Sequence, residues 1–358
     1  MSLLKVNELQ NVAGTSLLSS SGNTISGTLS SQSGFKNRII NGDMRIDQRN
    51  GGASSTAISV YTIDRWFYNT SVASKGTWQQ NAGAVTPPTG FTHYLGFTSS
   101  SAYTLGSTDE FGFQQIVEGV NVADLAWGTA NAQSVTISFW VRSSLTGNFG
   151  GSVRNRTVTR SYPFTYNISA ANTWQYKTIT IPGDTTGTWN KDTSAGLYLK
   201  FAFGVGASRS GTSGVWAATN YASSTGSVSV VGTNGATFYI TGVQLEKGSV
   251  ATPFEFRNFA QELMMCQRYF EILEIGPDYN NNSNTWATYI IRSYPLMVEK
   301  RTNATTTIDG LQYFNAGAGT NFTPTSMNNP YKYLSFANNA LTNCGGISSG
   351  SFRINAEL

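Results

Sequence analysis

The sequence predicts an all-β chain built round an antiparallel sandwich, and three observations carry that expectation. Apolar residues alternate with period two through VTISFWVR (135–142), LYLKFAFGV (197–205) and ATFYITGVQLE (236–246), the spacing of strands with one buried face. Turn residues punctuate those runs, as in Pro87-Pro88, Pro182-Gly183-Asp184 and Asn234-Gly235. Only 12% of the 358 residues are charged, whereas soluble domains usually carry about 25%. Ser, Thr, Asn and Gln must therefore supply most of the polar surface.

In chain order, residues 1–34 are rich in Ser, Gly and Thr with sparse apolar positions. Such a segment buries too little to offset its own ordering entropy, so an extended arm that orders on a partner is expected. The sandwich follows over 35–257. Val135, Ile137, Phe139 and Val141 share one face, as do Leu197, Leu199, Phe201, Phe203 and Val205. Phe238 and Ile240 share a parity that Val243 and Leu245 abandon, which predicts a β-bulge at Gly242. A single helix is expected over 258–276, opened by Asn258 with Gln261 as a capping box, carrying Glu262 in its first turn and stopped by Gly276-Pro277. Phe259, Leu263, Cys266, Phe270 and Leu273 recur along it as a narrow seam. Two readings of the seam stand side by side: a connector packed on its own sandwich, or an oligomer interface where copies of the chain meet. Residues 277–358 return to short strands, expected at 286–291, 311–314, 331–336 and 352–358, and read as a small C-terminal β-domain. In the last strand Phe352, Ile354, Ala356 and Leu358 share a face.

The chemistry the residues permit is narrow. A net charge of +4 is too mild and scattered for nucleic acid; its densest basic stretch, Arg154, Arg156 and Arg160, reads as a solvated strand and turn or as an anion patch. Cys266 and Cys344 lack zinc spacing and are expected to be buried small hydrophobes, with no disulfide framework and no metal. The single histidine, His93, excludes multi-histidine metal sites, and no G-x-S-x-G elbow exists to join it in a triad. It is expected on a strand surface. Asp109, Glu110, Glu118 and Asp124 cluster in sequence and keep a glycan-cleaving pair open, though no catalytic residue is assigned. The first residues do not read as a secretory signal, and no run is long enough to span a membrane. Neither nucleotide-binding glycine pattern is present, and no cofactor is expected. The eight Trp suit stacking on sugar rings. Trp189 and Trp216, set among turn residues, are the carbohydrate-binding candidates, ahead of Trp140, which lies in mid-strand.

Three stretches carry a resemblance. NRIINGDMRIDQRN (37–50) with YTIDRWF (61–67), and VQLEKGSVATPFEFRNFAQELMMCQRYF (243–270), resemble the opening and closing segments of a jelly-roll module in tailed-bacteriophage fibre and receptor-binding structural proteins. LLKVNELQNVAGT (3–15) and the terminal NAEL are similar to the ends of such proteins. The resemblance implies a jelly-roll sandwich like that of carbohydrate-binding modules and a virion protein, most simply a tail fibre. It further implies a homotrimer attached to other virion proteins through the arm, made in the host cytoplasm, released by lysis and engaging host-surface glycan. It carries over no catalytic residue. A capsid decoration or adaptor protein is the alternative, and a polysaccharide depolymerase using Glu118 or Asp124 a third. Asp64, Arg65 and Trp66, like Glu246 and Arg257, are expected to hold strands and loops together.

Overall fold

The expected alternation is realised as two packed antiparallel sheets. The computed structural model describes residues 36–275, 290–315 and 346–358, with short strands at 8–10, 16–21, 24–26, 278–279, 318–321, 326–327 and 333–338. The chain divides into two units, 1–36 and 37–358. In the first, β1 (Glu8–Gln10), β2 (Ser16–Ser21) and β3 (Thr24–Ser26) form one antiparallel sheet in that order; the rest of the expected arm lies outside the described residues.

The second unit opens with β4 (Val60–Tyr61), β5 (Trp66–Thr70), β6 (Gly76–Gln80), β7 (Leu95–Ser99) and β8 (Glu110–Glu118). It continues with β9 (Val135–Ser143), β10 (Gly147–Asn155), β11 (Ser161–Ile168), β12 (Gln175–Ile181) and β13 (Ala195–Val205). A short parallel pair, β14 (Ser210–Gly211) and β15 (Ser223–Ser224), precedes the closing strand β16 (Thr237–Lys247). One sheet runs β11-β10-β13-β8-β5-β4 and the other β12-β9-β16-β7-β6. This is an antiparallel jelly-roll sandwich. Every inward residue expected on β9 and β16 is fully buried, as are Leu197, Leu199, Phe201 and Phe203 on β13, and Phe97 and Phe203 stack at 4.5 Å in the middle of the core.

The bulge falls where the parity changes. The register of β16 against β9 slips between Thr241 and Gln244, and Gly242 sits at φ +62°. That left-handed conformation suits glycine, and the extra residue returns Val243 and Leu245 to the core side.

The three motif stretches meet in one knot at the closing end of the sandwich. The buried Arg257 guanidinium donates to the Ile39 and Asn37 carbonyls and pairs with Glu255 and Glu262. Glu262 in turn accepts from the backbone N–H of Asn41, and the Asn41 side chain donates to the Ile46 and Asp64 carbonyls. Trp66 closes the ring by donating from Nε1 to the Asn41 carbonyl at 3.0 Å.

The helix is shorter than its seam. Helix α1 spans Phe259–Gln267, capped by Asn258 Oδ1 accepting from the Ala260 N–H, and the chain then turns extended. Phe270 and Leu273 therefore belong not to a helix but to strand β17 (Phe270–Ile275), where they pair with Asn355 and Phe352. The physical reason is that aromatic and β-branched residues at Tyr269, Phe270, Ile272 and Ile275 favour a pleated, half-buried surface, and a free partner strand is present. The expected stop at Gly276-Pro277 lies outside the described residues.

Beyond it come β18 (Asp278–Tyr279), β19 (Ile290–Pro295), β20 (Thr305–Asn315), β21 (Ala318–Asn321), β22 (Ser326–Met327), β23 (Tyr333–Asn338) and β24 (Gly346–Asn355). They form a sheet β17-β24-β20-β21, with β18 also on β24, and a second sheet β19-β23-β22. Residues 286–289 of the expected strand and Cys344 lie outside the described residues. Phe352, Ile354 and Ala356 bury one face with Ala304 and Leu334, while Leu358 packs with Ile40, Ile46, Cys266 and Tyr269. The other face of β24 meets the sandwich. There Glu357 is clamped by Arg65 and by Arg49 at 2.9 Å, and Tyr61 donates to the Leu358 carbonyl at 3.0 Å.

Two outcomes follow from this packing. Removing Arg257 strands a buried carboxylate and two carbonyls, so Arg257→Ala is expected to lower unfolding stability by about 3–5 kcal/mol in urea titration; a loss below about 1 kcal/mol contradicts the knot's role. Burial raises the Asp64 carboxyl to about 7 despite Arg49 nearby and donation from Gln48. An acid whose folded pKa is raised binds its proton more tightly when folded, so stability falls as pH climbs from about 4 to about 7 and is flat above. Asp64→Asn is expected to flatten that slope in thermal melts across the window, leaving the part due to Asp43, which burial raises to about 6.

Candidate functional site

The strongest candidate is a groove on the outer face of the five-stranded sheet. Because Phe139 and Val141 point into the core, the strand period sends Trp140 outward. Pairing of β12 with β9 sets Tyr176 directly opposite Trp140, their rings 5.5 Å apart, and β16 sets Thr241 on its other side. Gly242 forms the floor between them: a Cβ there would lie 2.6 Å from Phe91 and 3.2 Å from Trp140. The bulge thus brings two aromatic groups onto one surface.

The far wall is the loop after β16. Glu246 pins it, accepting from the Thr252 N–H at 2.8 Å and the Thr252 hydroxyl at 2.6 Å, while Gln244 accepts from the Glu255 N–H at 2.9 Å. The pinned loop presents Phe254 and Phe256, which form a triangle with Phe91 at ring distances of 4.9 to 5.2 Å. The open groove holds about 730 Å³. Tyr176 is 44% exposed and Phe256 57% exposed, although large aromatics are ordinarily buried. None of the lining side chains carries a charge; Thr89, Thr178 and Thr252 supply hydroxyls among the rings. Such a surface suits a flat ligand with an apolar face and hydroxyl edges, since rings held at fixed angles lose little freedom on contact.

The structure re-sorts the tryptophans. Trp189 is a core residue, 8% exposed, packed edge-on against Trp127 at 4.7 Å with its Nε1 shared between Asp184 and the Thr186 carbonyl. Trp216 is half-buried in the same cluster, donating to the Pro182 carbonyl at 2.8 Å. Turn residues round these two rings mark places where the chain folds back over the core, and the fold-back covers them. Trp140, set aside as mid-strand, is the tryptophan that lines the groove. Its signal was present in the alternation itself, which makes every second residue of VTISFWVR face away from the core.

The helical seam is divided as well. Cys266 is buried with Ile40 and Ile46, Leu263 is half-buried beside it, and Phe259 is 52% exposed with the Arg45 guanidinium 5.8 Å from its ring. Phe270 and Leu273 leave on β17, so the five residues share no single face. The carboxylates are engaged in pairs: Glu118 with Arg268 at 2.8 Å and the Tyr269 hydroxyl at 2.7 Å, Asp124 with Arg38 at 2.8 Å, and Glu110 with Lys200 at 2.7 Å. Arg154 is buried against Glu110, Gln114 and Asn220, and Arg160 grips Asp184 through two bonds, so the basic stretch is split between ion pairs. His93 lies in the loop before β7, its carbonyl accepting from Thr241.

No family model matches the chain, and no curated protein matches it. Among solved structures it is similar to a putative sugar-binding protein from Bacteroides thetaiotaomicron, at 13% identity and TM-score 0.36 over 60% of this chain and 100% of that one. A family 11 carbohydrate-binding module from Clostridium thermocellum in complex with a mixed-linked tetrasaccharide matches at 13% identity and TM-score 0.27, over 57% and 100%. The enzymatically active domain of tailspike protein 4 from bacteriophage CBA120 matches at 13% identity and TM-score 0.33, over 59% of this chain and 21% of that domain. At these scores the likenesses carry no weight for function, which is read from the groove's own residues.

The groove floor is open to test on stability. Gly242→Ala forces a side chain into the left-handed region and against the Phe91 ring, and is expected to cost about 1–3 kcal/mol in urea unfolding; an unchanged midpoint contradicts the bulge geometry.

Proposed function

We propose that the chain is a glycan-binding structural protein of a tailed-phage virion, most simply a tail fibre, and that the aromatic groove takes an uncharged stretch of host-surface saccharide. The observation that carries this reading is the solvent-open set of Trp140 and Tyr176 on the sheet with Phe91, Phe254 and Phe256 on the loops beside it. The virion assignment draws on the motif resemblance, whose stretches are the ones that tie the sandwich shut. Binding rather than cleavage is proposed because the groove lining carries no carboxylate, whereas glycoside hydrolysis ordinarily uses two. Copies of the chain, as a homotrimer fastened to the particle through residues 1–34, multiply weak single-site affinity through effective concentration. The protein is made in the host cytoplasm and leaves with the particle on lysis.

Titration calorimetry of the full chain with host envelope polysaccharide tests the groove. Trp140→Ala and Tyr176→Ala are each expected to weaken binding about tenfold or more, the effect of losing about 1–3 kcal/mol at a ring-stacking contact. Unfolding midpoints should stay near wild type because both rings face solvent. Trp189→Ala should show the reverse, a stability loss of about 3–5 kcal/mol from an emptied core position. Complete lack of polysaccharide binding by an assembled particle sinks the reading.

A further inference from the structure

Much of the polar capacity bordering the aromatic groove is spent on the groove's own wall. The Thr252 N–H and hydroxyl both donate to Glu246, and the Thr252 and Pro253 carbonyls accept from the Gln244 amide at 3.2 and 3.4 Å. Glu246 and Gln244 are themselves buried and do not line the groove. The other lining hydroxyls belong to Thr89, Thr178 and Tyr176, all exposed, and Trp140 adds an indole N–H. No carboxylate, guanidinium, side-chain amide or imidazole is part of the lining.

That inventory is poor for a fully hydroxylated sugar. Adjacent sugar hydroxyls are best met by side chains that offer two polar atoms at once, such as carboxylates, amides and guanidiniums. A hydroxyl that gives up water without gaining a partner weakens binding. The same lining is rich for a methyl group. Phe91, Phe254 and Phe256 make a three-ring face with centroids 4.9 to 5.2 Å apart, and Ala251 and Pro253 add further carbon to the lining. This face meets the Trp140–Tyr176 pair at Gly242, where a Cβ would lie 2.6 Å from Phe91 and 3.2 Å from Trp140.

We infer that the groove selects 6-deoxyhexose units, sugars with a methyl group where a hexose carries its C6 hydroxyl. The inference rests on the glycan reading of the groove and narrows it to a substrate class. The pyranose lies on Trp140 and Tyr176, and its methyl packs among Phe91, Phe254 and Phe256. A hexose in the same pose sets a hydroxyl against those three rings. Phe256, 57% exposed, is the specificity-determining ring most open to substitution.

Titration calorimetry of the full-length protein with two pairs of trisaccharides tests it. One pair is 6-deoxy-D-mannose against D-mannose and the other L-fucose against L-galactose, the members of each alike in linkage and differing only at C6. The deoxy member of at least one pair is expected to bind about tenfold or more tighter than its partner, the scale on which an apolar pocket separates close analogues. Phe256→Ala is expected to bring that ratio toward one. Trp140→Ala should weaken both members together and keep the ratio. Should Phe256→Ala fail to fold, Phe256→Leu keeps apolar bulk without the ring and is expected to lower the ratio by a smaller factor. Equal or tighter binding of the hexose member in both pairs overturns the deoxy assignment and leaves the groove reading standing. Absence of trisaccharide binding while host polysaccharide still binds in a Trp140-dependent way does the same. A deoxy preference untouched by Phe256→Ala and Phe256→Leu overturns the placement of the methyl. Failure of polysaccharide and trisaccharides alike strikes the groove reading, and this inference with it.

Discussion

A buried guanidinium, that of Arg257, organises the closing end of this molecule. A charge withdrawn from water is stabilised by the acceptors it finds, and Arg257 finds them on three separate stretches: carbonyls at Asn37 and Ile39, the carboxylate of Glu255 and that of Glu262. The opening segment, the loop after the last sandwich strand and the start of the helix cannot shift relative to one another without leaving part of that charge unpaired. The loop bearing Phe254 and Phe256 hangs directly from this knot and from Glu246, so the groove wall inherits its rigidity from a polar contact some residues away.

Glu357 plays the matching part at the other seam. It lies one residue from the chain's end, yet it is the acid that Arg65 and Arg49 share. Arg65 is fully buried, with its guanidinium 3.5 Å from the Tyr269 ring. The C-terminal sheet is thereby locked to the sandwich by charge and ring contacts as well as by apolar area. Glu357 holds Arg49 over the Phe270 ring and near the Tyr61 ring, at the edge of the pocket between the sandwich and the C-terminal sheet.

The groove has rings, hydroxyls and no charge. Its aromatic side chains are held by backbone register rather than by loops alone. Trp140 opposite Tyr176 is fixed by strand pairing, which spares a ligand the cost of ordering the two rings.

The period-two pattern was enough to place the core. Val135, Ile137, Phe139 and Val141, the inward residues of β13 except Val205 at its half-buried end, and even the parity break at Gly242 were readable because burial in a strand depends on nearest-neighbour alternation, a local property. Arg65, Trp66, Glu246 and Arg257 were likewise legible as structural from their motif setting. What local pattern left undecided was whatever depends on a partner distant in the chain. The run from Phe259 to Leu273 fits a helix by spacing, but β24, some 80 positions on, supplies hydrogen bonds that convert its second half to a strand. Trp189 and Trp216 sit among turn residues and so look exposed, until Trp127 and each other cover them. Trp140 faces outward by the same alternation that buries its neighbours. Whether an outward ring becomes part of a site depends on the bulge and on a loop folded over the sheet, and those contacts form only when residues 91, 140, 176 and 254 are brought together by the sandwich.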